Sequence, residues 1–146
     1  MKFPAIIIEE DGVFVVSFRD IPEALTQGYT LSEAIMMAED ALLTAMDFYF
    51  EDMRLVPKPS AAEDGEFLIS LPLSAVTKML LLNTMLEQRI SKKKLADRMG
   101  VSPQQLTRIV NLKQTTKIDT LQNAFKALGC ELVFTVSDCA DQQLKN

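Results

Sequence analysis

Residues 91–114, "SKKKLADRMGVSPQQLTRIVNLKQ", constrain the fold more tightly than any other stretch of the chain. Two short amphipathic segments meet at Gly100-Val101-Ser102-Pro103, and each residue of that junction suits a tight turn between helices. Gly100 tolerates the positive φ that ends a helix. Val101 can plug an apolar interior, Ser102 carries an oxygen that caps a helix, and Pro103 has its φ pre-set for a first helical position. Leu95, Met99, Val101, Leu106 and Ile109 supply an interior, with small Ala96 where the two helices cross. The spacing predicts a helix-turn-helix, its first helix running from the Ser91 cap to Gly100 and its second from Ser102 to about Asn111.

The flanking segments complete a bundle of four helices. "SAVTKMLLLNTMLEQR" precedes the motif with Val76, Met79, Leu80, Leu82 and Leu86 among its apolar positions. A last helix is announced by Thr116 with Asp119 three residues on, carries Ile118, Leu121, Phe125 and Leu128 on one face, and stops at Gly129. "ELVFTV" then alternates Leu132, Phe134 and Val136 as a strand, which a helical bundle leaves without a sheet to join. Pairing with the same strand of a second copy across a two-fold axis would satisfy it and set two recognition helices on one DNA face. The rival is that it extends a sheet in the first half of the same chain.

Charge gives the motif a partner. Lys92, Lys93 and Lys94 occupy the start of a helix, where the macrodipole disfavours each cation by roughly 0.3–1 kcal/mol. Residues 89–117 hold eight cations and one acid in a chain whose net charge is −5. A DNA backbone rewards that arrangement, because the first turn of such a motif lies against phosphates. On the second helix Gln104, Gln105, Thr107, Arg108 and Asn111 point away from the Leu106/Ile109 face. Arg reads guanine and Gln or Asn reads adenine bidentately, so Gln104 and Arg108 lead for base contacts. The expected DNA-binding set is Lys92, Lys93, Ser102, Gln104, Gln105, Thr107, Arg108, Asn111 and Lys113.

The first half reads as a small α+β unit. "FPAIIIEE" and "VFVVSF" are strands joined at Asp11-Gly12, a hairpin turn, and "ALTQG" offers a short third strand. Thr30 and Glu33 have capping-box spacing for a long helix whose Leu31, Ile35, Ala38, Leu42, Ala45 and Tyr49 form one face. Met36, Leu43 and Phe50 make a second stripe, either the flank of a broad core surface or a partner-binding edge. Residues 55–66 read as a loop, exposed enough to be a protease site, and "EFLISLPL" as a final strand. The order is β-β-β-α-β. Residues 1–72 carry 14 acids and 4 bases, whereas 73–146 carry 6 acids and 11 bases, so the chain divides there into modules with partners of opposite charge.

Catalysis is disfavoured. The chain has no histidine, which removes imidazole acid–base chemistry, Ser-His triads and most zinc sites. Asp40 and Asp47 share a helix flank, but no further carboxylates predictably converge on them, so neither a metal nor a cofactor is expected. Cys130 and Cys139 read as reduced thiols. No apolar run approaches the roughly 18 residues of a membrane span, and "MKFPAIIIEEDG" is a poor signal peptide, so the cytoplasm is the expected compartment.

Several stretches resemble one family over nearly the whole chain: "VSFRDIPEALTQG", "DALLTAMDFYFED", "VPKPS", "FLISLPLS" and "KMLLLN". The chain resembles the HicB antitoxins, in the branch with a C-terminal helix-turn-helix. That resemblance implies a partial RNase H-like first module that is not a working nuclease, followed by a Cro/repressor-like DNA-binding domain. It implies binding to HicA, a small basic toxin that cleaves mRNA with a catalytic histidine, and repression of the shared operon. A homodimer is expected, with higher assembly on toxin binding open. No family motif assigns toxin contacts, so Glu9, Glu10, Asp11, Asp40 and Asp47 are named from charge alone, and Leu132, Phe134 and Val136 for dimerisation. Two other readings are a metabolite-sensing repressor, which needs an enclosed apolar pocket, and an RNase H-type nuclease, which needs metal-binding carboxylates.

Overall fold

We describe the protein from a computed structural model, over residues 1–138. Strand β1 (Lys2–Glu10) turns into β2 (Val13–Phe18) through Asp11 and Gly12, both at positive φ (51° and 79°). Two positive φ values define the turn whose twist matches a two-residue hairpin, and Glu10 duly faces Val13 across the ladder. Strand β3 (Leu25–Gly28) pairs with β2, helix α1 (Leu31–Glu51) crosses the sheet, and β4 (Phe67–Ser70) returns to the free edge of β1. The sheet is antiparallel throughout in the order β3-β2-β1-β4, which realises the expected β-β-β-α-β unit.

One face of this sheet packs on α1. Phe3, Ala5, Val16, Phe18 and Ile69 meet Ala34, Ala38, Leu42, Ala45, Met46 and Tyr49. A Cβ at Gly28 would lie 2.5 Å from the Ala34 backbone nitrogen, so only glycine lets the end of β3 approach the helix this closely. The Thr30 hydroxyl caps α1 by accepting from the Glu33 N–H, while the Glu33 carboxylate reaches back to the Tyr29 N–H. Leu31, expected on the buried stripe, is exposed at the first residue of the helix, and Ala34 is the first residue packed on the sheet. The second stripe divides: Leu43 and Phe50 join the edge of the core, and Met36 stays in water.

Four helices follow: α2 (Leu73–Glu87), α3 (Lys92–Met99), α4 (Pro103–Val110) and α5 (Ile118–Ala127). Helix α2 belongs to both halves. Its Ala75, Val76, Met79 and Leu82 complete the sheet core, whereas Leu81 and Met85 enter a second core with Leu95, Leu106, Leu121 and Phe125. A helix that is apolar on nearly all sides has no single stripe, and of the apolar positions expected there only Leu80 stands substantially exposed. Within α2 lies Lys78, 1% exposed, whose ammonium donates 2.6 Å hydrogen bonds to the carbonyls of Asn111 and Gln114. Burial lowers its pKa, and the two carbonyls replace the water it has lost.

Thr116 does not cap α5. Its hydroxyl donates to the Ile109 carbonyl at 3.3 Å, and Lys117 takes the cap position without a side-chain bond. The strand expected over Leu132, Phe134 and Val136 is not formed. Residues 131–138 join no strand among the described residues, Leu132 leans on the second core, and Phe134 and Val136 stand in solvent. A strand needs a neighbour for its backbone, and the four-stranded sheet takes none from this segment, which removes the within-chain rival. Cys130 is a free, half-buried thiol, and Cys139 lies outside the described residues.

The loop from 52 to 66 is fastened at three points. Asn83 exchanges two hydrogen bonds with the Val56 backbone (2.8 and 2.9 Å). Asp20 accepts from the Ser60 N–H and hydroxyl, and Arg19 forks onto Glu66 at 2.6 and 2.8 Å while reaching the Ala61 carbonyl. At the helix end the Tyr49 hydroxyl donates to Glu23, which also pairs with Arg54; burial first and then that carboxylate push the phenol up to about 12.

Two outcomes follow from these contacts. Lys78→Met takes the ammonium from the Gln114 carbonyl and leaves the Asn111 carbonyl only the Gln114 N–H, and should cost about 1–3 kcal/mol in urea unfolding at neutral pH; an unchanged midpoint would show that burying the ammonium cancels its bonds. The Arg19 hydrogen bonds hold the Glu66 carboxyl down at about 2 from an ordinary 4.5. A depressed acid stabilises the fold above its unfolded pKa, and that contribution fades from about pH 4.5 as pH falls through about 2. Arg19→Leu should therefore lose less stability than wild type on acidification across that window, as urea midpoints will report.

Candidate nucleic-acid interface

The helix-turn-helix forms as its junction requires. Ser91 caps α3 by accepting from the Lys94 N–H, Gly100 closes it in the left-handed conformation (φ 68°, ψ 31°), and Ser102 opens α4 with Pro103 in its first turn. Leu95, Ala96, Leu106, Ile109 and Val110 are buried, with Met99 and Val101 at the margin of the same core. Every interior position expected from the spacing is in place.

The outward residues are less uniform than their helical positions suggest. Gln104 and Arg108 are exposed on α4, and none of the hydrogen bonds or ion pairs among the described residues engages their side chains. Gln105 is partly committed: its amide oxygen accepts from the Ser102 N–H at 2.8 Å while its own N–H caps onto the Ser102 hydroxyl. Only the Gln105 amide nitrogen remains to donate. The Thr107 hydroxyl donates back to the Pro103 carbonyl, and the Asn111 side chain, at the C-cap of α4, accepts from the Lys113 N–H at 2.9 Å. Lys92 and Lys93 project from the exposed first turn of α3. Arg98, counted among the local cations, turns instead to the Ala127 carbonyl at the end of α5.

An acidic wall stands beside this basic surface. Lys113 lies 3.6 Å from Asp47 of α1, and the two bound a cleft of about 230 Å³ that also takes in Glu51, Lys92, Thr107 and Asn111. One residue expected to meet toxin, Asp47, thus shares a crevice with four expected to meet DNA, Lys92, Thr107, Asn111 and Lys113. Neither the pairing of Asp47 with Lys113 nor the bonds of Lys78 to the end of α4 and the turn that follows was legible; for Lys78 the one available signal was a charge standing inside the apolar run "AVTKMLLL". The five charge-based toxin candidates do not converge. Glu9, Glu10 and Asp11 lie at the β1–β2 turn, whereas Asp40 and Asp47 lie on the helix layer. Among the described residues no three His, Cys, Asp or Glu side chains gather as a metal site, and no helix is long and apolar enough to cross a membrane.

A sheet-and-helix module joined through a shared helix to a capped helix-turn-helix defines a DNA-binding regulator with an appended α+β domain. Comparison with known proteins makes this specific. A family profile described as HicB_like antitoxin of bacterial toxin-antitoxin system matches residues 2–80, and a helix-turn-helix profile matches residues 82–134. The boundary between them falls inside α2. Antitoxin HicB of Escherichia coli (strain K12) is 50% identical over 133 residues, covering 90% of this chain and 96% of the relative. Antitoxin HicB 2 of Photorhabdus laumondii is 50% identical over 90% of this chain and 94% of its own length, and antitoxin HicB of Pseudomonas fluorescens (strain Pf0-1) 37% over 88% of each. The chain belongs to the HicB-like antitoxin family and is a DNA-binding antitoxin; that family and the regulatory domain point to a non-enzymatic protein.

The crevice yields an expected outcome. Asp47→Asn removes the carboxylate beside Lys113 and should tighten duplex DNA binding by up to about fivefold at low salt, the range open to an exposed ion pair. The slope of log affinity against log salt should steepen by up to about one unit. Fluorescence anisotropy at three salt concentrations checks both.

Proposed function

We propose that this protein neutralises a small, basic, HicA-type mRNA-cleaving toxin through its acidic first module and represses its own operon by placing α4 in the major groove of operator DNA. The observation that carries the reading is the division of charge between two structurally distinct surfaces. Fourteen acids against four bases fall within residues 1–72, while a run of cations borders the exposed Gln104 and Arg108 of α4. Opposite charge speeds encounter with each partner and sets specificity, and buried apolar contacts supply most of the affinity.

In this reading Lys92, Lys93, Ser102 and Lys113 hold phosphates, Arg108 and Gln104 read base edges, and Thr107 and Asn111 lie at the margin. The protein works in the cytoplasm, where both partners are found. Residues 131–136 pair with those of a second copy, which would cover the exposed Phe134 and Val136 and space two recognition helices for a two-fold operator. The named relatives support the antitoxin role, and the family profile supports assigning it to the first module.

Arg108→Ala is the sharpest test of base reading. Loss of a bidentate guanine contact should cost about 1–3 kcal/mol on the matched operator and much less on a duplex altered at that base pair. Equal losses on both duplexes, measured by gel shift at fixed salt, would reassign Arg108 to the backbone.

A further inference from the structure

The sheet has two faces, and α1 uses one of them. The register places Ile6, Ile8, Val13, Val15, Leu25 and Leu68 on the other: Ile6 lies opposite Ser17, Ser17 opposite Leu25, Ile8 opposite Val15, Glu10 opposite Val13 and Pro4 opposite Leu68. None of the six joins either hydrophobic core, and Ile8, Leu25 and Leu68 are 53%, 67% and 51% exposed. A sheet covered on one side ordinarily turns polar side chains to water on the other. This one turns isoleucine, valine and leucine outward from three adjoining strands and the β4 edge, with Ser17 and Gln27 set among them, an apolar surface of the kind that marks a contact.

Charge selects what covers it. Lys2 stands on the patch's face at the far end of β1, whereas Glu10, on the same face, and Asp11 stand exposed at its hairpin end with no ion-pair partner among the described residues. A second copy of this chain would bring two acidic modules and two such rims together, with like charges opposed. A basic protein satisfies both the apolar centre and the acidic rim. We infer that this open face of the sheet, rather than the outer side of α1, is where the acidic module receives its toxin. The inference rests on the antitoxin reading. It assigns Ile8 and Leu25 as anchors and Glu10 and Asp11 as steering charges, and it leaves Asp40 and Asp47 outside the contact.

The test uses the full chain and the HicA-type protein encoded with it, made with its catalytic histidine replaced by alanine. Ile8→Lys combined with Leu25→Lys should weaken toxin binding at least roughly thirtyfold, the scale of central interface anchors, while operator binding stays unchanged. Glu10→Lys with Asp11→Lys should slow association and reduce its salt dependence. The methyl resonances of Ile6 and Ile8 should shift on adding toxin to wild type, with Ile7, which packs against the core, as the internal control. Undiminished toxin binding by the Ile8→Lys/Leu25→Lys chain, with operator binding intact, overturns the assignment and leaves the antitoxin reading standing. So does a wild-type titration that moves the α1 amides around Asp40 and leaves the Ile6 and Ile8 methyls in place. A wild-type chain that fails to bind the toxin at all overturns both.

Discussion

The Lys78 ammonium joins the two halves of this molecule. It sits in a helix that serves both cores, and its two hydrogen bonds end on the carbonyls of Asn111, the C-cap of α4, and Gln114, in the turn that follows. The Asn111 carbonyl also accepts from the Gln114 N–H at 3.2 Å, so the ammonium closes the turn that follows the recognition helix from both of its ends. Burying that cation is costly, and the arrangement persists because the bonds leave little of its charge unanswered. The recognition helix is thereby held against α2, and through α2 against the sheet. Its orientation relative to the acidic module is a property of the fold rather than of a flexible linker.

That coupling makes sense of the crevice beside α4. With α1 held close, Asp47 can pair with Lys113, and a helix from the acidic module faces residues that meet DNA in the proposed function. An exposed pair of this kind contributes little to stability. In the proposed function its effect is larger, because a phosphate competing for Lys113 would first have to displace a carboxylate. The two modules also present their surfaces differently. The basic surface is built on short, well-capped helices, whereas the acidic module offers water an open sheet face that its own core does not need.

Much of the architecture was legible because its signals are local. Asp11-Gly12 between two β-branched runs sets a hairpin whatever follows, and Gly100-Val101-Ser102-Pro103 sets a helical turn whatever it packs on. The features that escaped are tertiary. An all-apolar α2 does not reveal that it serves two cores, and a lysine within it gives no hint of carbonyls more than thirty residues away. Gln105 looked like a base reader because helical position alone cannot show that its oxygen is bound by a cap. Thr116 and Asp119 had the spacing of a cap, yet α5 starts one residue later, behind Lys117, and the Thr116 hydroxyl donates to the Ile109 carbonyl. Alternation across residues 131–136 reads as a strand, but a strand exists only with a partner, and the described residues of one chain supply none. Counting charge points to the first module as a whole, and only the register of β1 shows which side chains share its open face.

The most direct measurement is sedimentation of the full chain with labelled operator duplex, followed by addition of the silenced toxin under its own label. An antitoxin that also represses should carry the duplex alone and then carry both labels in one heavier species. A chain that sediments with the duplex and leaves the toxin at its free velocity would contradict the account, and one that takes up neither would contradict it entirely.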